Sequence, residues 1–170
     1  MAVPLAEINA LDAAAFTARL GGIYEHSPWI AQRAWALRPF ASVQGLHAAM
    51  QDIVNAAPLA EQLELIRAHP ELAGRLAMAG QLTDASRSEQ SGAGLNQCTP
   101  EEFALLQKLN AAYRGKFGFP FIVAVRALTR AKIIANLQQR LDNTQEQELA
   151  ACMQEIARIA LFRLQDLIED

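Results

Sequence analysis

The stretch ELIRAHPELAGRLAMAGQLTDASRSEQSGAGL, residues 64–95, alternates short helical periods with residues that end or begin helices. Pro70 ends one helix, a short helical piece then runs to Gly80, and Thr83 can cap the next helix. Similar start and stop signals recur along the whole chain. They predict an all-α fold, a bundle of roughly seven to nine helices, in a single domain that covers residues 1–170.

Helix-capping residues are spaced through the rest of the sequence. The predicted N-caps outside residues 64–95 are Asp12, Ser27, Ser42, Thr99, Thr129 and Thr144. Glu102 and Gln147 follow two of these threonines at capping-box spacing. The apolar run over residues 119–125 has the composition of a buried strand, but no partner strand is evident. We therefore expect an extended segment that leads into a helix.

Composition excludes several classes of protein. The chain has 170 residues and a net charge of −3, whereas a nucleic-acid-binding domain usually carries a basic stripe. No signal peptide is evident, and the longest apolar run is too short to cross a bilayer, so we expect no membrane association. Cys98 and Cys152 lie far apart in no CxxC motif, which favours free thiols. A cytoplasmic protein is the expectation.

His69 is the first candidate for chemistry. Leu59, Leu63 and Ile66 recur at helical spacing, and His69 lies three residues beyond Ile66 on the same face. We therefore expect its imidazole to point inward at the last turn of its helix. Histidine changes charge near neutral pH, as general acid and base catalysis require. A core histidine that caps carbonyl groups at the helix end would show the same pattern, and the sequence leaves both interpretations open.

Arg163 is the second candidate, because it interrupts an apolar face of the last helix formed by residues such as Ile156 and Leu167. A buried guanidinium needs an anionic partner, since an unpaired interior charge is costly. That partner is either a protein carboxylate such as Glu89 or a carboxylate of the substrate. The alternative is an arginine that extends to solvent from the helix end.

Glu89 lies in a polar cluster, residues 83–92, whose only apolar side chain is Ala85. Such a cluster is either a solvated loop, which composition alone favours, or the polar lining of a pocket. Glu89 can orient an imidazole, act on a substrate, or form a capping box with Ser86. We expect no metal site, because the three histidines of the chain fall in no HxxxH or HxxE pattern.

Four segments taken together resemble one known family. They are HPELAG at 69–74, LTDASRSEQSGAGL at 82–95, LNAAYRGKFGFPFIVAVR at 109–126 and EIARIALFRLQDL at 155–167. The chain is similar to the 2-oxo-4-hydroxy-4-carboxy-5-ureidoimidazoline (OHCU) decarboxylases of urate breakdown. This resemblance implies an all-α enzyme without a cofactor, usually a homodimer, that converts OHCU to (S)-allantoin and carbon dioxide.

The resemblance also implies the residues of the site. The catalytic residues would be His69, Glu89 and Arg163. The residues that bind the substrate would be Pro70, Ser86, Arg87, Ser88, Glu89, Gln90, Phe121, Ile122, Val123, Ala124 and Val125. His69 would move the proton and Arg163 would hold the substrate, while Glu89 would either orient His69 or contact the substrate. The 121–125 backbone would bind the ureido group and ring.

Two alternatives remain open from the sequence. The chain could be another lyase or hydrolase of small ureido acids on the same scaffold. It could also be a helical interaction module without catalysis, in which the polar cluster is an exposed loop and Arg163 belongs to an ion pair of the core.

Overall fold

The computed structural model describes residues 1–74 and 80–170, and within them helices are the main secondary structure. These residues form nine α-helices: α1 (Leu5–Ala10), α2 (Ala13–Leu20), α3 (Trp29–Ala34), α4 (Val43–Ala56), α5 (Leu59–Ala68), α6 (Asp84–Gly92), α7 (Pro100–Phe117), α8 (Arg130–Arg140) and α9 (Gln145–Leu167). Single 3₁₀ turns follow α3 and α6, at Trp35–Leu37 and Leu95–Gln97. The prediction of an all-α fold is confirmed.

The chain divides into two compact units. The first comprises Met1–Ala68 and Ala157–Asp170, and the second comprises His69–Ile156. The expectation of a single domain over residues 1–170 stays a prediction. The short helical piece expected before Gly80 includes residues 75–79, which lie outside the described residues. No helix in the described part of the chain is long and apolar enough to cross a membrane.

Helix caps in the first unit largely follow the sequence signals. The Asp12 carboxylate accepts a hydrogen bond from the Ala15 amide, and the Ser42 hydroxyl accepts one from Gly45, so α2 and α4 begin where predicted. Ser27 differs from the prediction. Its hydroxyl donates to the Glu25 carbonyl oxygen over 2.9 Å, and α3 begins after it without a side-chain cap.

The first unit also joins the two ends of the described chain. Strand β1 (Val3–Pro4) pairs in parallel with β2 (Ile168–Glu169), with Val3 opposite Ile168. The Asp170 carboxylate accepts a hydrogen bond from the Val43 amide at the start of α4. Residues from opposite ends of the sequence therefore close this unit.

Side-chain caps also start the helices of the second unit. Thr99 and Glu102 form the predicted capping box of α7, and Thr144 and Gln147 form another at α9. Helix α7 ends at Phe117 and is capped by Gly118, whose φ of 77° lies in the left-handed region that glycine favours. An extended segment then follows, as predicted, and residues 121–125 are all buried.

Candidate active site

His69 lies immediately after α5 and is buried, with 7% of its surface exposed. This burial agrees with the inward direction predicted for the imidazole. The predicted apolar face is shorter than expected, however, because Leu59, the first residue of α5, is 55% exposed. Pro70 is half-buried and follows His69 directly, so the chain cannot continue the α5 hydrogen-bond ladder at that point.

A tight turn over residues 71–74 follows the His-Pro pair. The Gly74 amide donates to the Glu71 carbonyl oxygen over 3.2 Å. A Cβ atom at Gly74 would lie 2.8 Å from the Cβ of Glu71, so the turn requires glycine there. Ala73 has a φ of 51°, which is uncommon for a residue other than glycine.

Side chains from α6 and α7 hold this turn. The Gln90 carboxamide accepts from the Ala73 amide over 2.9 Å and donates to the Glu71 carbonyl oxygen over 3.5 Å. The Gln107 side chain donates to the Ala73 carbonyl oxygen over 2.8 Å, and Asn110 donates to that of Leu72 over 3.0 Å. Sequence reasoning missed Gln107 and Asn110. Gln107 and Asn110 lie three residues apart on one face of α7, and this spacing was the signal in the sequence that could have identified them.

The polar cluster forms helix α6 rather than the solvated loop that its composition favours. The Thr83 side chain accepts from the Ser86 amide and caps the helix at Asp84, so Ser86 and Glu89 lie inside it rather than forming its capping box. Ser86 is 4% exposed and Gln90 is 6% exposed.

The remaining predicted residues of α6 differ in exposure. Glu89 is half-buried, whereas Arg87 and Ser88 are exposed. The Arg87 guanidinium donates to Asp84 and to the Leu82 carbonyl oxygen. Helix α6 therefore has a buried face that contains Ser86 and Gln90, and a face in contact with solvent.

A cavity of about 460 Å³ lies within the second unit, beside α6. Arg87 and Gln90 are the two predicted substrate-binding residues in its lining, and it borders the turn at Ala73. Among the described residues, its lining also includes Leu82, Ser91, Leu95, Asn96, Cys98, Pro100 and Phe103. Its lining is mainly apolar, with a few polar groups, a composition common in small-molecule sites.

The Phe121–Val125 segment is buried and held from α8 and α9. The Arg140 guanidinium donates to the Ile122 carbonyl oxygen over 2.5 Å and lies 4.5 Å from the centroid of the Phe121 ring. The Ala124 amide donates to the Glu155 carboxylate over 3.0 Å. The backbone of this predicted substrate-binding segment is therefore fixed by side chains that the sequence did not single out.

The Arg140 guanidinium is itself paired with Glu148, which is completely buried. Glu148 also accepts hydrogen bonds from the Tyr113 hydroxyl and the Asn143 carboxamide. Burial lowers the pKa of Arg140, but the Glu148 carboxylate, together with Cys152 and Tyr113, outweighs burial and leaves the pKa above its ordinary value. Burial, with the nearby Cys152 and Glu148, raises the pKa of Tyr113, so its hydroxyl stays protonated.

Arg163 lies in the first unit, whereas the other predicted site residues lie in the second. Its side chain is buried and donates to the Glu25 carboxylate over 2.9 Å, and Glu25 is 2% exposed. The same guanidinium reaches the carbonyl oxygens of Gly22 and Ile23 at 3.4 Å. The prediction of a buried, paired arginine is confirmed, with Glu25 as a protein partner, and the solvent-exposed alternative is wrong.

Residues 9–165 match the family model described as OHCU decarboxylase. The chain belongs to the OHCU decarboxylase family. The match covers most of the sequence and includes three of the segments that carry the resemblance in full, and residues 155–165 of the fourth. Among the described residues, no group of three or more histidine, cysteine, aspartate or glutamate side chains is placed to hold a metal ion.

Known members of the family are similar over nearly the whole chain. The 2-oxo-4-hydroxy-4-carboxy-5-ureidoimidazoline decarboxylase of Halalkalicoccus jeotgali is 40% identical over 161 residues, which cover 95% of this chain and 89% of that protein. The uric acid degradation bifunctional protein PucL of Bacillus subtilis is 43% identical over 164 residues, which cover 96% of this chain and 32% of that protein.

A solved structure agrees with this family assignment. The crystal structure of (S)-allantoin synthase superposes with a TM-score of 0.77 at 32% identity, covering 98% of this chain and 54% of that one. The chain therefore shares the fold of that structure.

Proposed function

We propose that this protein decarboxylates OHCU to (S)-allantoin. The observation that carries the proposal is the family match over residues 9–165, together with 40% identity to a protein named for this activity. The buried His69, followed by a turn that three carboxamide side chains hold, supports a site built for chemistry rather than an exposed recognition loop.

The reaction changes two carbons of the substrate ring. The bond between the ring and the carboxylate breaks, carbon dioxide leaves, and the electron pair moves into the ring, where one proton from solvent neutralises the negative charge. The carbon that bears the hydroxyl becomes a carbonyl as the hydroxyl proton departs. The neighbouring carbon, which bears the ureido group, takes up a proton, and the face that receives this proton sets the configuration of the product.

His69 is the proposed proton donor to that carbon. An imidazole can take the hydroxyl proton and supply a proton within one catalytic cycle, since it serves as either acid or base near neutral pH. Its burial limits access of water, which would otherwise protonate the ring from both faces. Pro70 fixes the direction of the chain after the histidine and borders the substrate.

Glu89 and Arg163 supply the proposed charges. Glu89 either orients the imidazole so that a single ring nitrogen faces the substrate or contacts the substrate itself; its half-buried position on α6 supports both roles. The Arg163 guanidinium binds substrate oxygens and stabilises the negative charge that develops as carbon dioxide leaves. Its pairing with Glu25 orients it for this role.

Polar side chains and backbone groups complete the proposed site. The residues of α6, namely Ser86, Arg87, Ser88, Glu89 and Gln90, contribute polar side chains to the substrate. Backbone groups of Phe121, Ile122, Val123, Ala124 and Val125 bind the ureido group and ring. Support comes from the burial of the 121–125 segment and from the side chains of Arg140 and Glu155 that fix its backbone.

The handedness of the product tests the proposal. OHCU is generated in the cuvette from urate with urate oxidase and hydroxyisourate hydrolase, and circular dichroism follows the allantoin formed. We expect rapid growth of the (S)-allantoin signal with this protein, and loss of that signal with His69→Gln, which keeps a polar side chain of similar size. A rate and handedness equal to those of a protein-free control would reject the decarboxylase and leave another lyase or hydrolase of ureido acids, or the interaction module.

The assembly and location of the protein complete the proposal. We expect a homodimer in the cytoplasm, with OHCU as the substrate and without nucleic acid or membrane as a partner. Light scattering should give twice the 18.6 kDa mass of one chain. A mass equal to that of one chain at micromolar concentration would contradict the homodimer.

A further inference from the structure

The turn after the His-Pro pair is held almost entirely by side chains of other segments. Of its backbone groups, the three carbonyl oxygens of residues 71–73 and the Ala73 amide all bond to carboxamides of Gln90, Gln107 or Asn110. Two of these carboxamides come from α7, one turn apart. Helix α7 is therefore a rigid support behind the turn.

The turn needs such a support. Ala73 is held at a φ of 51°, where a Cβ atom is strained, and a strained backbone persists only when its surroundings fix it. Leu72 and Ala73 are also buried, at 8% and 6% exposure. Without Gln107 and Asn110, their carbonyl oxygens would lose hydrogen bonds that water cannot easily replace.

The position of the turn determines the position of His69, because the backbone between them is stiff. Pro70 restricts its own φ and disfavours the helical conformation of the residue before it. Few backbone torsions therefore separate the held turn from the imidazole. If the turn relaxed, the histidine would move with it, and a displacement of about 1 Å can cost on the order of 10²-fold in rate.

We propose that Gln107 and Asn110 are positioning residues for the reaction: they fix the 71–73 turn and through it the imidazole of His69. This inference rests on the proposed function for its catalytic meaning. Neither residue needs to touch the substrate. Gln107 is half-buried and Asn110 is 2% exposed, and each acts through a backbone carbonyl of the turn.

The test uses Gln107→Met and Asn110→Leu, which keep side-chain size and remove the donor. Gln138→Met is the matched control, because Gln138 is exposed on α8 in the same unit. We expect kcat to fall at least about 10-fold in both test variants, with KM within about twofold of the wild type. The amount of each variant is raised until its total rate equals that of the wild type, so that uncatalysed decay contributes equally. Under those conditions we expect each test variant to give a smaller excess of (S)-allantoin over (R)-allantoin than the wild type gives.

A second readout does not depend on activity. The imidazole carbon-bound protons of the three histidines are observed by NMR, and the His69 signal is assigned by its loss in His69→Gln. In Gln107→Met we expect the His69 signal to shift while the signals of His26 and His47 stay in place. Gln138→Met should move none of them.

The outcomes separate the two proposals. A folded Gln107→Met with wild-type kcat, handedness and His69 signal overturns the positioning role while leaving the decarboxylase intact. A raised KM with unchanged kcat also overturns it, because Gln107 would then bind substrate directly. If Asn110→Leu does not fold, Gln107→Met decides alone. If the wild type forms no (S)-allantoin, the proposed function fails, and the NMR comparison still tests whether Gln107 places His69.

Discussion

Arg140 and Glu148 form an ion pair in which the acidic side chain has no exposed surface. The Arg140 Nε atom lies 2.8 Å from a Glu148 carboxylate oxygen, and the arginine side chain is only 10% exposed. A charge in such a place depends on its partner, because loss of one member leaves the other desolvated and uncompensated. The pair also anchors the Phe121–Val125 segment through the Ile122 carbonyl oxygen.

We expect Glu148→Gln to lower the free energy of unfolding by about 3 kcal/mol, because the Arg140 guanidinium is left without its counter-charge. The double variant Arg140→Met with Glu148→Gln should lose less than the sum of the single variants, by more than about 1 kcal/mol. Urea denaturation measures all of these. Glu61→Gln is the control, since the exposed Arg33–Glu61 pair should contribute about 1 kcal/mol or less. If the losses of unfolding free energy in the two single variants add up to the loss in the double variant, the buried pair is not coupled.

Arg163→Lys tests the need for a planar guanidinium. Lysine keeps the positive charge beside Glu25 but cannot bind a carboxylate with two parallel hydrogen bonds. We expect kcat/KM to fall by about 10²-fold while the far-UV circular dichroism spectrum is retained. Arg158→Lys, at an exposed position of the same helix, should leave kcat/KM unchanged. Full activity in folded Arg163→Lys would mean that the substrate is not bound by two parallel hydrogen bonds from the guanidinium.

Glu102 links stability to pH at the start of α7. A hydrogen bond from the Thr99 amide and another from Arg130 hold the pKa of this carboxyl below its ordinary value of about 4.3. A carboxyl with a lowered pKa stabilises the fold above its unfolded pKa, and the contribution is lost as pH falls through the folded pKa.

Glu102→Gln should therefore reduce Tm at pH 7, and its difference from the wild type should shrink as the pH falls below about 4. Thermal unfolding at several pH values measures this difference. Glu101→Gln is the comparison, because Glu101 shares the first turn of α7. If the Tm of Glu102→Gln stays below that of the wild type by the same amount down to the lowest pH, the proposed link between Glu102 ionisation and stability is contradicted.

The two cysteines, both free, should react at different rates with a thiol reagent. Burial and the neighbouring Glu102 raise the pKa of Cys98, so little thiolate is present at neutral pH. Burial also raises the pKa of Cys152, which has no exposed surface.

We expect slow labelling of Cys98 with a rate that still increases above about pH 8.5, and labelling of Cys152 only after unfolding. Cys98→Ser assigns the slow phase. Fast labelling of two thiols in the native protein at pH 7 would contradict both assignments.

Local signals explain why the helix boundaries could be read from the sequence. Capping bonds such as those of Thr99 and Thr144 span only three residues, so the pattern contains both partners. The apolar face around Arg163 likewise predicted that its side chain is buried. Its partner Glu25 could not be predicted, because the two residues come together only in the folded unit. The same limit applies to Arg140 and Glu148, and to Gln107 with its distant turn.

Composition was least informative in the polar cluster. Its serines and glycine favour a loop, yet Thr83 caps the segment and the burial of Ser86 and Gln90 turns it into a helix with one inward face. Burial of His69 agrees with its predicted direction, while its role, and those of Glu89 and Arg163, stay proposals.

The discontinuous composition of the first unit has a consequence for biosynthesis. Its residues come from Met1–Ala68 and Ala157–Asp170, and β1 can pair with β2 only when both are present. Translation runs from the amino terminus, so the nascent chain exposes α1 to α5 on the ribosome long before their last partner emerges. The second unit, His69–Ile156, is synthesised between these two parts, and therefore before the first unit has its last partner. Until release, the uncovered apolar faces of the early helices are natural targets for ribosome-associated chaperones.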